Sequence, residues 1–162
     1  MKIKALTAAV ILSIAAAARG HSFGLGAQFN FRAESIFVPG AALVVSASDI
    51  THLAINWYLD LEKVNTIGFT WDVCPLNLPL INFNAGTFNF TLGGGIFANM
   101  AFTSDIGING GLRVPVGFNV LLGRVFEVYT HVAPSFGLNF LPNMGLSDPF
   151  FPVALGVQLW FR

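Results

Sequence analysis

Apolar and polar residues alternate with a period of two along most of this chain. From Ser22 to Arg32, Phe23, Leu25, Ala27, Phe29 and Phe31 fall on one side, and Ser22, Gly24, Gly26, Gln28, Asn30 and Arg32 on the other. Successive side chains of a β-strand point to opposite faces, so this stretch predicts a strand with one oily face and one small or polar face. The pattern returns over Leu53–Leu61, Thr66–Val73, Thr87–Asn99, Ile106–Val120, Phe126–Asn139 and Phe151–Phe161. An eighth segment is placed at Leu76–Phe83, although it contains Pro79; Ala41–Ala47 is the alternative. Eight is preferred to seven because single-chain bacterial outer-membrane barrels have even strand numbers.

The polarity of the two faces separates two architectures. A soluble lipocalin-like ligand binder turns bulky apolar residues inward, and a membrane barrel turns them outward. The oily face here carries Phe, Trp, Leu, Ile and Val, while the other is rich in Gly, Asn, Ser and Thr. An eight-stranded barrel is just wide enough inside for its own side chains, which suits the small polar set. After Gly20 no apolar run approaches the ~18 residues of a membrane helix. The expected fold is therefore all-β: a closed antiparallel up-and-down transmembrane β-barrel of eight strands.

Composition agrees with an exterior in lipid. The 162 residues are 54% hydrophobic and 10% charged, with a mean hydropathy of +0.69 and 17 Phe. A soluble domain carries about 25% charged residues. The net charge is zero, and no basic run could track a phosphate backbone, so nucleic acid is not an expected partner. Lys2 and Lys4, the apolar stretch Ala5–Ile14 and the small residues Ala15–Ala18 form the pattern of a cleaved signal peptide over residues 1–20. Residues 21–162 are then the barrel, expected in the bacterial cell outer membrane.

With the N-terminus in the periplasm, the connections around Lys63, Ala85 and Gly123 become periplasmic turns. Ala33–Ile50 and Leu141–Pro149 become outer loops one and four. Short outer connections fall near Cys74–Pro75 and Thr103–Asp105.

The signal peptide, the alternation and the closing run Val153-Ala154-Leu155-Gly156-Val157-Gln158-Leu159-Trp160-Phe161 resemble small outer-membrane barrels: the OmpA membrane domain and the OmpX and OmpW families. Asn56–Asp60 and Gly110–Gly117 look like barrel proteins of spirochaetes. Such proteins end on a terminal aromatic, whereas here Arg162 follows Phe161. The resemblance covers residues 22–161 and implies lipid and the assembly machinery as partners. Its motifs carry over no function.

Candidate chemistry is sparse. Arg113, Glu127, Tyr129, His131 and Asp72 share the inward face and are expected to form a polar network in the lumen, with Arg113 paired to Glu127 or Asp72. Ser135 also faces inward, but it lies four residues from His131, about 13 Å along a strand. A nucleophile and its base need about 3 Å, so no catalytic residues are assigned. His21, His52 and His131 lack metal-ligand spacing, and no cofactor is expected. Cys74, the lone cysteine, reads as a small filler near a strand end. Gly93-Gly94-Gly95 lies inside a strand, where it lets the strand bend or leaves room for a bulky neighbour such as Phe97 or Trp160. Trp57 and Trp71 are the candidate membrane-interface aromatics.

The leading functional expectation is a non-enzymatic integral outer-membrane protein with a structural or surface-interaction, adhesin-like role that contacts host surface molecules. The alternative is a narrow channel for a small or apolar solute. A lipid-modifying barrel enzyme and a soluble ligand binder rank below both.

Overall fold

A computed structural model describes residues 23–33, 37–59, 65–102 and 106–161. The segment read as a signal peptide, His21 and Lys63 lie outside these residues. The described chain is all β: β1 (Phe23–Ala33), β2 (Phe37–Ser48), β3 (Thr51–Leu59), β4 (Asn65–Phe83), β5 (Gly86–Phe102), β6 (Ile106–Arg113), β7 (Val116–Leu122), β8 (Phe126–Val132), β9 (Ser135–Leu141), β10 (Gly145–Leu146) and β11 (Phe151–Phe161).

These eleven strands build eight staves. β6 and β7 are one stave: both pair with β5 in a single register, as Gly95↔Arg113 and Leu92↔Val116. β8 and β9 form the next stave, opposite β7 and β6. β10 pairs with β9 beyond the end of β11 and so prolongs the eighth stave. The two interruptions are Val114-Pro115 and Ala133-Pro134. Proline has no N–H to donate to a ladder, but its carbonyl still accepts. Val114 N–H bonds the Pro134 carbonyl at 3.0 Å, and Gly93 N–H bonds that of Pro115 at 2.9 Å. The wall therefore continues across both breaks.

Pairing closes the sheet on itself, since β11 pairs with β8 on one side and β1 on the other. One belt of partners makes the closure explicit: Phe150, Ser135, Arg113, Gly95, Asp72, His52, Ser46, Gly24 and Trp160. It starts and ends on the last stave, ten residues apart (160 − 150). That stagger tilts the staves by roughly 35–45° to the barrel axis.

The side-chain alternation sorts inside from outside. Phe29 is 67% exposed, while its neighbours Gln28 and Asn30 are 7% and 2% exposed. Apolar side chains point out on every stave, and the interior holds asparagines, glutamines, Ser46, Asp72, Arg113 and Glu127. The apolar cluster inside is small: Ala42, Val44 and Ala54. This is the polarity of a membrane barrel.

The strand assignments need corrections. Leu76–Phe83 is not a separate strand but the continuation of β4, paired with β5. The missing stave is β2, which contains the alternative Ala41–Ala47. Alternation continues through Cys74–Pro75 because a register irregularity between Val73 and Leu76 absorbs the proline. Cys74 is accordingly buried within a strand rather than near its end.

The connections shift in consequence. Ala33–Ile50 is not a loop; β2 and the turn at Asp49-Ile50 fill most of it. That turn shares one end of the barrel with Asn84-Ala85 and Gly123–Val125. The pair Leu59↔Asn65 lies at the opposite end, together with the 142–150 segment. Beyond Cys74, whose N–H bonds the Ile50 carbonyl at 2.7 Å, β4 pairs with no strand on its β3 side among the described residues. Pro75 and Pro79 fall in this stretch, where a missing N–H costs least.

Candidate functional site

The lumen gathers nearly all the buried polar chemistry of the described residues. Its first layer lies near the turn end. Trp160 Nε1 donates to Glu127 Oε2 at 2.6 Å, and Asn119 Nδ2 donates to Glu127 Oε1 at 2.6 Å. Asn89 then donates to Asn119 Oδ1 at 2.7 Å. Both carboxylate oxygens of Glu127 are thus occupied, as a buried charge requires.

A second layer couples strands far apart in sequence. Tyr129 Oη donates to Gln28 Oε1 at 2.8 Å. Gln28 Nε2 donates to Asn30 Oδ1 at 2.8 Å, and Asn30 Nδ2 to Asn56 Oδ1 at 2.7 Å. Gly156, the cross-strand partner of Tyr129, makes room for this chain. A Cβ there would run into the tyrosine ring.

Arg113 sits in the middle. Its Nε is 3.1 Å from Asp72 Oδ1, an ion pair without hydrogen-bond geometry, and one Nη is 3.2 Å from His131 Nε2. Gly95 separates Arg113 from Asp72 in the belt, and a Cβ there would strike the Asp72 carboxylate. The last glycine of the Gly93–Gly95 run therefore makes space for an ion pair. His131 also stacks parallel to Tyr129, with ring centroids 6.0 Å apart.

Beyond Arg113 two aromatic rings join the filling. Phe97 reaches past Gly137 to meet Phe150 edge-on, with centroids 5.1 Å apart, and both rings are buried. On the turn side of Arg113 an internal cavity of about 50 Å³ remains. It touches Asp49, His52, Asp72, Glu127, Tyr129 and His131. A water needs at least ~10–15 Å³ of such space, so the cavity has room for a few waters or a very small solute.

The five residues assigned to the lumen from sequence all lie there. Arg113 is beside Asp72 and His131, and it is Asp72 rather than Glu127 that pairs with it. Glu127 and Tyr129 hydrogen-bond elsewhere in the lumen. The amide network of Gln28, Asn30, Asn56, Asn89 and Asn119 escaped sequence reasoning, although each residue stands on the inward side of the alternation. Ser46, His52 and Gln158 escaped it too.

Ser135 donates to the Ala133 carbonyl, not to His131. Ser46 Oγ lies 2.7 Å from His52 Nδ1 and donates to Gln158 Oε1. Ser46 has no exposed surface. Among the described residues no three histidine, cysteine or acidic side chains come together to hold a metal. Trp57 pairs with Ala41 and Ile67 near the end of β3, whereas Trp71 pairs with Leu53 and Ile96 deeper in the wall.

No family model matches the chain, and no curated protein matches it either. Several solved structures are similar in fold. The N-terminal β-barrel domain of Pseudomonas aeruginosa OprF aligns at 12% identity and a TM-score of 0.48, covering 85% of this chain and 97% of that one. Neisserial surface protein A aligns at 13% identity and 0.46, covering 88% and 97%. Ail, the attachment invasion locus protein of Yersinia pestis, aligns at 11% identity and 0.39, covering 86% and 97%.

Proposed function

We propose that this chain is an integral protein of the bacterial outer membrane with a closed lumen, and that it serves a structural or surface-contact role, carrying neither a solute nor a catalytic site. One observation supports this above the others: the barrel is apolar outside, and its inside is packed with bonded polar groups and an aromatic layer. The apolar wall needs hydrocarbon around it, because so large an apolar surface would associate in water. A closed barrel meets the bilayer's demand that backbone groups be paired. Lipid and the barrel assembly machinery are its partners on this reading. The surface for any host contact is the end opposite the tight turns, where Met144 and Leu146 stand 81% and 86% exposed.

The test has two parts. An outer-membrane fraction run on a denaturing gel with and without boiling should show a band that shifts on boiling. The purified protein in a planar bilayer should then pass no steady current. A soluble, unshifting protein would overturn the membrane assignment. Stable single-channel steps would overturn the closed lumen and favour the channel.

A further inference from the structure

We draw no further inference here: the strongest candidate, the edge of β4 from Leu76 to Phe83 at the turn end of the barrel, pairs with no described strand on its β3 side, and nothing in the structure shows what covers it.

Discussion

Arg113 Nε stands 3.1 Å from Asp72 Oδ1 although the two residues belong to staves separated by β5. Gly95 is the intervening residue of the same belt. Both side chains are almost wholly withdrawn from solvent, so each charge depends on the other. Removing one partner of a buried pair leaves an uncompensated charge and costs about 3–5 kcal/mol. Arg113→Ala should destabilise the barrel by that order without preventing export. The double variant Arg113→Met, Asp72→Leu should recover most of the loss. Urea unfolding of the refolded protein in lipid, followed by tryptophan fluorescence, measures both.

Tyr129 bends over Gly156 to reach Gln28. Gly156→Ala should displace the ring and break that hydrogen bond. Tyr129→Phe removes the same bond without moving the ring and leaves Gln28 Oε1 without this donor, at about 1–3 kcal/mol. The two losses should not add when the variants are combined, because they act on one contact. A double-mutant cycle on unfolding free energies checks this, and full additivity would place Gly156 outside the network.

The β7–β8 turn holds two successive residues in the left-handed region. Gly123 has φ of 57° and Arg124 φ of 61°, and Val125 N–H bonds the Leu122 carbonyl at 3.1 Å. Two successive positive φ values define the turn that matches the twist of a hairpin. Glycine adopts this freely, whereas arginine adopts it at a cost. Arg124→Gly should therefore stabilise by about 1 kcal/mol, and Gly123→Val should destabilise by about 1–3 kcal/mol. Thermal shifts of the heat-modifiable band give the order of the three proteins.

Phe97 and Phe150 separate the polar cavity from the end that carries the 142–150 segment. Cys74 lines that cavity and is the chain's only cysteine, so it reports on access. A charged thiol reagent added to that side of vesicles should not modify the native protein. Phe97→Ala combined with Phe150→Ala should make Cys74 reactive, and it should lower stability by at least the ~3–5 kcal/mol expected of one large aromatic truncation. Modification of the native protein at the same rate would mean that the aromatic layer does not seal the lumen.

Much of the lumen was legible residue by residue. Asp72, Arg113, Glu127, Tyr129 and His131 sit on the inward parity, and a period of two tells a side chain which way to point. The partners of these residues were not legible. Asp72 and Glu127 are equal candidates for Arg113 in a linear reading, and only the stagger of the barrel brings one of them close. Glycine positions carried a usable signal: Gly95 and Gly156 each face a large polar neighbour on the next stave.

The strand count came out right for a partly wrong reason. Leu76–Phe83 alternates well enough to be a strand, and it is one. It prolongs β4 because the chain does not turn at Cys74-Pro75; an irregular register step takes up the proline instead. β2 was harder to see, because Gly40-Ala41-Ala42 is small on both sides and shows weak contrast. The same smallness leaves Ala41 as a low point on the outer wall.

What the amino-acid order determined by itself was polarity: which residues face hydrocarbon, which face the lumen, and hence that the chain closes into a barrel. Alternation and side-chain size are local properties, and they survive errors in strand boundaries. What the tertiary structure decided was register. The ten-residue stagger, the choice of Asp72 over Glu127 and the length of β4 all depend on how staves slide past one another. That sliding is set only when β11 meets β1, a contact between the two ends of the described chain.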